Sequence, residues 1–402
     1  MPEAVIVSTA RSPIGRAFKG SLTEVRPDDL AATIIQAAMD KVPALSKDDI
    51  VDLHLGCGLP GGEQGFNMAR VVSTLLGWEV PGTTLTRYCA SSLQTSRMAF
   101  HAIKAGEGDA FISAGVEMVS RYVKGSSDSL EGTMNPRFDE AQARTQDVAQ
   151  SGADSWSPPE GLPDIYIPMG QTAENVALSR GVSRERQDDF AFESQQRYAR
   201  AAADGFWERE ITPVDLPNGE TMTADDSPRP QTEREKLASL APVFRPDGSV
   251  TAGNACPLND GAAAVVITSD EKAKQLGLEP LARIVSTGVS ALNPEIMGLG
   301  PIEATRQALK HAGLTIDDID VAEINEAFAA QVIPSADELG IDYDKLNPHG
   351  GSIAVGHPFG MTGARITGTL INGLQTLDGT FGLETMCVGG GQGMAMIVER
   401  LK

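Results

Sequence analysis

The chain has 402 residues, more than one ordinary hydrophobic core holds, and this length predicts two or three domains' worth of structure. Its composition, 41% hydrophobic and 22% charged, is typical of a soluble globular protein. The formal net charge of −21 argues against a nucleic-acid partner, because such a partner needs a cationic surface.

Targeting and membrane segments are not expected. The first residues run directly into a strand pattern, without a basic leader and an apolar core, and no apolar run approaches a membrane-spanning length. The four cysteines, Cys57, Cys89, Cys256 and Cys387, are scattered without a CxxC pair. We therefore expect neither a disulfide framework nor a metal site, and a cytoplasmic location.

The first 120 residues alternate between buried strands and helices. Strands are predicted at 4–9, 52–57 and 110–115, and a helix with an acidic first turn at 28–40. This alternation predicts an α/β half with parallel strands, spanning residues 1–120.

A candidate nucleophile lies within this half. Residues 84–105 predict a strand, a tight turn and a helix, with Cys89 at or just before the helix N-terminus. Unpaired backbone N–H groups and the helix dipole there favour the thiolate over the thiol. A single cysteine is more often a small buried hydrophobe, so the rest of the chain has to decide between the two interpretations.

The composition changes after the first half. Residues 121–250 are polar and rich in Pro, Asp, Gln and Arg, and we interpret them as an inserted helical and loop domain. Within it we predict a solvated loop at 137–159 and a serine-capped helix at 183–203. Residues 251–275 then return a strand to the N-terminal half, and residues 276–402 form a C-terminal α/β half.

The two flanking halves resemble each other in sequence. In each, a helix leads through a DDI segment (LSKDDI and LTIDDI) to a strand, and a Gly/Ser-rich turn (CASSLQTS and GHPFGMTG) later precedes a long helix. We infer an internal duplication. Equivalent strand ends meet in such folds, so Cys89 and the GHP turn are expected to lie near each other.

Two further residues could carry chemistry. His357 stands between a glycine and a proline in a turn, and a histidine there can stabilise a thiolate or donate to an oxyanion. Cys387 precedes GGGQG, and such turns present backbone N–H groups. A dinucleotide fingerprint is rejected because no helix follows these glycines. Cys57 is interpreted as packing, while His349 stays ambiguous.

Seven segments in order resemble the thiolase family, the acetyl-CoA C-acyltransferases. The resemblance runs from STARSPIG near the N-terminus to the C-terminal glycines. It implies the thiolase fold, with two duplicated α/β halves packed in a layered αβαβα core and an inserted helical and loop domain. The segments are RYCASS, MGQTAEN, VTAGNACPLNDGAAA, MGLGP, NEAF, GHPFGMTGAR and CVGGGQG.

The resemblance implies a role for each catalytic residue. Cys89 would be the acylated nucleophile, His357 would activate it and help bind the thioester oxygen, and Cys387 would be the acid/base at the α-carbon. Asn325 would hold the water of one oxyanion hole, while the N–H groups of Cys89 and Gly389 would form the other. Such a set needs no metal and no redox cofactor.

The resemblance also implies that the inserted domain covers CoA, which would be a co-substrate, with no tightly bound cofactor. Arg229 would lie against the adenine, although a solvated surface arginine is the alternative. Met169 would line the acyl and pantetheine region, and Cys256 stands where the family has a serine near the pantetheine.

Three other positions depart from the family pattern. Thr86 and His349 stand where asparagine is usual, and Ser92 where glycine is usual. Together with Cys256 they leave the reaction class intact and the substrate range open.

We expect a thiolase that cleaves 3-ketoacyl-CoA with CoA, through an acyl-Cys89 intermediate, to acetyl-CoA and a shortened acyl-CoA, as in fatty acid β-oxidation. The closest alternative is the biosynthetic condensation of two acetyl-CoA molecules. A decarboxylating ketoacyl synthase would lack Cys387, and a non-catalytic acyl-CoA or lipid-binding relative would have lost Cys89 or His357. The family implies a homodimer or homotetramer that binds acyl-CoA thioesters.

Overall fold

The computed structural model describes residues 1–124 and 131–401. Its strands are β1 Ala4–Arg11, β2 Gly15–Arg16, β3 Asp52–Cys57, β4 Gly82–Leu85, β5 Ala110–Met118, β6 Val214–Asp215, β7 Thr221–Met222, β8 Asn259–Ser269, β9 Ala282–Ala291, β10 Val321–Ile324, β11 Phe381–Val388 and β12 Gln392–Arg400. Its helices are α1 Pro27–Asp40, α2 Met68–Leu75, α3 Ser91–Ala105, α4 Asp139–Ser151, α5 Met169–Arg180, α6 Arg184–Ala203, α7 Arg234–Ala238, α8 Asp270–Leu276, α9 Gly300–Ala312, α10 Ala329–Leu339, α11 Ser352–Val355 and α12 Thr362–Thr376.

The same strand order occurs twice. β3, β5, β8 and β1 lie side by side in the N-terminal half, and β10, β11, β12 and β9 lie side by side in the C-terminal half. In each set the first two strands are parallel and the other neighbours antiparallel. β1 and β9 join the halves through the pairs Val5–Arg283 and Ile6–Ala282. This repeated topology confirms the internal duplication inferred from the sequence.

Three hydrophobic clusters separate the layers. The first packs α1 and α2 on the N-terminal half, the second holds α3 and α12 between the two halves, and the third packs α9 and α10 on the C-terminal half. The order is therefore helix, sheet, helix, sheet, helix, as expected. Leu93 of α3 and Leu370 of α12 are both fully buried in the middle layer, and burying each stabilises the fold by about 1.5–3 kcal/mol.

The equivalent helices α3 and α12 touch near their N-termini. A Cβ on Gly363 would lie 2.2 Å from the backbone nitrogen of Leu93, so only glycine allows this approach. Ser92 Oγ accepts a hydrogen bond (2.9 Å) from the N–H of Ala364, one of the amides in the first turn of α12. Ser92, a departure from the family glycine, thus ties the two helices together. Cys89 precedes one of them and His357 the other.

The inserted region is partly as predicted. The helix expected at 183–203 is α6, and the Ser183 side chain caps it by accepting from the N–H of Arg186. The solvated loop predicted at 137–159 is wrong, because α4 occupies much of it. Ala141 is the one buried residue of α4, so the segment has no clear apolar face; good helix formers and two acidic residues in the first turn stabilise it instead.

After the insertion the chain returns to the N-terminal half of the sheet, because β8 lies between β1 and β5. The exact limits of the domains stay predictions. Within residues 1–124 and 131–401, every helix is too short or too polar to cross a membrane.

Candidate active site

Cys89 lies in a short 3₁₀ turn, Tyr88–Ala90, immediately before α3. The turn is held by Ser91, whose Oγ accepts from the N–H of Arg87 (2.9 Å) and donates to the carbonyl of Tyr88 (2.6 Å). Tyr88 itself has a left-handed φ of 43°, which is unusual for an aromatic residue. The predicted position of Cys89, at the start of the helix, is confirmed.

The protonation state of Cys89 differs from expectation. Burial and the nearby carboxylate of Glu117 raise the pKa of its thiol to about 12. The nearby backbone N–H groups of Gly389 and of Cys89 itself act in the opposite direction and lower this pKa. Backbone N–H groups favour the thiolate, as predicted, but burial and Glu117 outweigh them in the free protein. Cys89 needs a base to become a nucleophile.

Two other cysteines lie close to Cys89. Cys387 is fully buried near the end of β11, and burial, Cys89 and Cys256 raise the pKa of its thiol well above the usual value. Burial and the neighbouring Cys89 likewise raise the pKa of Cys256. The N–H of Cys256 donates to the carbonyl of Ala327 (3.0 Å), which holds it against the NEAF segment. These thiols are neutral near pH 7.

His357 is buried and its ring is bonded at both nitrogens. Asn325 Nδ2 lies 3.2 Å from Nε2, and Thr362 Oγ1 lies 2.7 Å from Nδ1. Burial and the nearby Arg365 lower the pKa of the imidazole to about 3, so it is neutral at physiological pH. The N–H of His357 donates to Asn259 Oδ1 (2.9 Å), which fixes the turn. A neutral imidazole can take the proton of a thiol.

Glu117, which the sequence analysis did not single out, organises the surrounding turns. Its buried carboxylate accepts from the N–H groups of Gly58 (2.6 Å) and Gly360 (2.7 Å). The Gln64 amide (3.0 Å) and the Tyr122 hydroxyl (2.8 Å) also donate to it. The available signal was a single charged residue in the largely apolar strand AFISAGVEM.

A cavity of 410 Å³ opens beside Cys89. Met169, the first residue of α5, and Gly389 line it, while their contacts with substrate stay predictions. Among the residues that the structure describes, no charged side chain lines the cavity. The remaining lining residues are Leu59, Tyr88, Thr133, Met134, Ile165, Tyr166, Ile167, Pro168, Phe359 and Gly390.

Other residues named from the sequence lie outside this lining. The Arg229 side chain is exposed and its N–H donates to Gln195 Oε1 (2.8 Å), so its contact with adenine stays a prediction. His349 stacks on Phe206 with ring centroids 3.8 Å apart, and burial and Arg209 lower its pKa to about 4. His349 is therefore a neutral packing residue.

Thr86 and Cys57 have structural contacts. Thr86 Oγ1 donates to the carbonyl of Gly58 (2.7 Å) and accepts from the N–H of Tyr88 (3.2 Å), so this departure from asparagine still supports the nucleophile turn. Cys57 is fully buried in the first hydrophobic cluster, which agrees with its interpretation as packing.

The site therefore combines the buried thiols of Cys89 and Cys387 with the neutral imidazole of His357. Backbone N–H groups lie beside the Cys89 sulfur. Residues 4–271 match the family model of the thiolase N-terminal domain, and residues 278–400 match that of the thiolase C-terminal domain. The chain belongs to the thiolase family. As a family member it is a thiolase-type acyl-CoA acyltransferase.

Relatives of this thiolase carry different substrate names. It is 42% identical to the 3-ketoacyl-CoA thiolase of Bacillus subtilis, over 99% of this chain and 100% of the relative. It is 43% identical to the 3-oxoadipyl-CoA/3-oxo-5,6-dehydrosuberyl-CoA thiolase of Escherichia coli, over 100% of both chains. The relatives therefore support degradative thiolase activity and leave the substrate unsettled.

Solved thiolase structures share the fold over the whole chain. Human mitochondrial 3-ketoacyl-CoA thiolase in complex with CoA superposes with a TM-score of 0.86 at 34% identity, covering 100% of this chain and 98% of the human one. The dimeric peroxisomal thiolase of Saccharomyces cerevisiae superposes with a TM-score of 0.88 at 34% identity, covering 99% and 97%. The thiolase fold expected from the sequence is thus confirmed.

Proposed function

We propose that this thiolase acts in the degradative direction, on 3-ketoacyl-CoA substrates whose acyl group is apolar and longer than acetyl. The observation that carries the proposal is the 410 Å³ cavity beside Cys89. Its volume lies in the usual range for pockets that enclose small molecules, and it is much larger than a two-carbon acyl group needs. An acetyl group would fill less of this space than a longer acyl chain does.

In the first half-reaction His357 Nε2 takes the proton of the Cys89 thiol, and the sulfur attacks the 3-keto carbon. The N–H groups of Cys89 and Gly389 stabilise the oxyanion that forms. The bond between C2 and C3 then breaks, and its electron pair becomes the enolate of acetyl-CoA. His357 and a water on Asn325 stabilise this enolate, and Cys387 gives a proton to the α-carbon.

In the second half-reaction a new CoA molecule releases acyl-Cys89. The Cys387 thiolate takes the proton of the CoA thiol, and the CoA sulfur attacks the thioester carbonyl. Collapse of the tetrahedral intermediate forms the shortened acyl-CoA and returns the sulfur of Cys89 as thiolate, which regains its proton from His357. The sequence is ping-pong, and no metal or redox cofactor takes part.

The charge of the cavity supports an uncharged acyl group. 3-Oxoadipyl-CoA, named for the relative from Escherichia coli, ends in a carboxylate. A buried carboxylate is costly unless a cation or several donors pair with it. The described lining offers the rings of Tyr88, Tyr166 and Phe359 and no cationic side chain. Such walls complement aliphatic or aromatic groups.

CoA as co-substrate is proposed from the human relative, whose structure was solved with CoA. Arg229, Cys256 and Met169 are the proposed CoA contacts on this chain.

A homodimer is proposed from the yeast relative, which is described as dimeric, and from two features of this chain. β4 is an outer strand of the sheet, so one row of its backbone groups is available for pairing. Beside it Phe66 is 97% exposed, and Val71 and Leu75 of α2 are also exposed. Size-exclusion chromatography with light-scattering detection would give the mass of the protein in solution. A monomer at micromolar concentration would refute the homodimer.

The deciding experiment is intact-mass analysis after brief incubation with acetoacetyl-CoA or with 3-ketooctanoyl-CoA, followed by peptide mapping and steady-state thiolysis of both and of 3-oxoadipyl-CoA. With 3-ketooctanoyl-CoA we expect a hexanoyl group on Cys89, and added CoA should remove it. We also expect kcat/KM for 3-ketooctanoyl-CoA to exceed that for each other substrate at least about tenfold, equivalent to about 1.4 kcal/mol. A preference for 3-oxoadipyl-CoA, or no adduct on Cys89, would refute the proposal.

A further inference from the structure

Asn325 faces His357 through Nδ2, and its Oδ1 is held by Ser352 and Arg365. Ser352 Oγ lies 2.7 Å from Asn325 Oδ1, and Arg365 Nη2 lies 2.8 Å from Ser352 Oγ. All three side chains are at least 98% buried. Ser352 is the first residue of α11 and Arg365 lies in the first turn of α12, so two separate helices bring these groups to Asn325.

The donors in this contact can be assigned without ambiguity. A guanidinium carries only donors, so Ser352 Oγ must accept from Arg365. The serine proton then goes to Asn325 Oδ1, which is an acceptor. This orientation turns Asn325 Nδ2 towards His357 Nε2, 3.2 Å away. Since the amide nitrogen can only donate, Nε2 has to be unprotonated.

The contacts at Nδ1 of the imidazole require the same tautomer. The carbonyl of Pro358 can only accept, and Thr362 Oγ1 donates to it at 2.8 Å. Thr362 Oγ1 therefore accepts from His357 Nδ1–H, at 2.7 Å. The hydrogen bonds run in one direction from Arg365 to the Pro358 carbonyl, and a chain with both ends fixed in this way selects one tautomer.

We infer that Ser352 and Arg365 are positioning residues that keep His357 in the Nδ1-protonated tautomer, with Nε2 unprotonated and thus able to act as the base for Cys89. Neither residue needs to touch the substrate. In the described part of the chain, Ser352 Oγ is the one hydrogen-bond acceptor of the Arg365 guanidinium, and Nε and Nη1 of Arg365 have no partner. Ser352 is thus the link through which this buried cation orients the Asn325 amide.

Loss of the Ser352 hydroxyl would remove the constraint on Asn325. The amide could then rotate by half a turn and present Oδ1 to the imidazole, which favours a proton on Nε2. With Nε2 protonated, His357 cannot accept the proton of Cys89. The catalytic consequence rests on the proposed function, whereas the tautomer does not.

The test compares Ser352→Ala with Ser352→Thr, which keeps the hydroxyl, and with Ser286→Ala as a matched control. Ser286 is also buried, and its Oγ donates to the carbonyl of Ala308 (2.7 Å) outside the site. Thiolysis gives kcat and KM, and ¹⁵N NMR of protein labelled at its five histidines gives the His357 tautomer, with the signal assigned by its loss in His357→Asn.

We expect the wild-type imidazole to be protonated on Nδ1, and S352A to acquire protonation on Nε2. In S352A we expect kcat to fall about 10- to 100-fold while KM changes less than about twofold. S352T and S286A should stay within about threefold of wild type in kcat. A wild-type proton on Nε2, or wild-type kcat and tautomer in S352A, would overturn the inference. An inactive wild-type protein with the Nδ1-protonated tautomer would instead refute the proposed function and leave the tautomer assignment standing.

Discussion

The backbone N–H of Gly389 lies beside the sulfur of Cys89 and lowers the pKa of its thiol. The glycine turn after β11 and the turn before α3 therefore meet at one atom, although they belong to different halves of the duplicated fold. A donor aimed at the sulfur lies close to the carbonyl oxygen of any acyl group that the sulfur carries. The same N–H can thus serve the thiolate first and the oxyanion later.

The roles proposed for Cys89 and Cys387 can be separated by substitution. Cys89→Ala should abolish both turnover and the acyl adduct, because it removes the sulfur that is proposed to carry the acyl group. Cys387→Ala should still form some adduct on Cys89, but turnover should fall about 10²- to 10⁴-fold because the α-carbon no longer receives its proton. Intact mass and steady-state thiolysis measure the two effects. Full turnover in C387A would show that the two-cysteine assignment is wrong.

Glu117 couples the turns around Cys89 to the reactivity of its thiol. In Glu117→Gln, the amide should serve the N–H groups of Gly58 and Gly360 less well, so we expect the free energy of unfolding to fall by about 1–3 kcal/mol. Removing the negative charge should also lower the pKa of Cys89, so alkylation by iodoacetamide at pH 8 should become faster. Urea unfolding and peptide-resolved alkylation rates measure these effects.

Glu399→Gln is the control for this substitution, because Glu399 pairs with Arg283 at the partly exposed end of β12. We expect it to change the unfolding free energy by less than about 1 kcal/mol and the alkylation rate not at all. If E117Q alkylated at Cys89 no faster than E399Q, the carboxylate would not contribute to the raised thiol pKa.

The sequence predicted the duplication and the proximity of the proposed catalytic turns because each has a local signal. Cys89 and His357 lie in short glycine- or serine-rich turns before long helices. The helices, turns and strands follow each other in the same order in the two halves. The thiol protonation of Cys89 had no such signal. It depends on burial and on Glu117, which reaches the turn from a different strand.

The other features that the sequence did not predict also lack a local signal. Helix α4 has almost no apolar face, so a method based on hydrophobic periodicity misses it. The contact of Ser352 with Arg365 joins two helices that are separated by a turn, and no spacing rule relates a serine and an arginine in this way. Motifs thus locate the reacting groups, whereas tertiary contacts set their protonation.

The width of the acyl cavity should respond to Met134. This residue lines the cavity and is itself 46% exposed, so a larger side chain can be accommodated without disturbing the core. Met134→Trp should lower kcat/KM for 3-ketooctanoyl-CoA about tenfold or more and leave acetoacetyl-CoA within about twofold. Met134→Leu, of similar volume, should leave both substrates near wild type. Equal losses for both substrates in M134W would place the acyl chain elsewhere.

Two buried neutral histidines should make the fold sensitive to acid. The pKa of His349 is lowered to about 4 and that of His357 to about 3, against about 6.5 in the unfolded chain. Below pH 6.5 the unfolded chain binds protons that the folded protein does not, so stability is present above that pH and is lost as the pH falls towards the folded values. For His349 alone, lowering the pH from 7 to 5 should cost on the order of 1–2 kcal/mol.

His349→Asn tests this linkage without touching the reacting groups, and it introduces the residue that is usual in the family. Urea unfolding at pH 7 and pH 5 should show a smaller loss of stability in the variant than in the wild type, by on the order of 1–2 kcal/mol. His101→Asn is the comparison, because His101 is exposed; partial burial and Arg97 also lower its pKa, so it should change the difference between the two pH values in the same direction but less than His349→Asn. An identical loss in H349N and wild type would mean that the stacked imidazole on Phe206 accepts a proton in the folded protein.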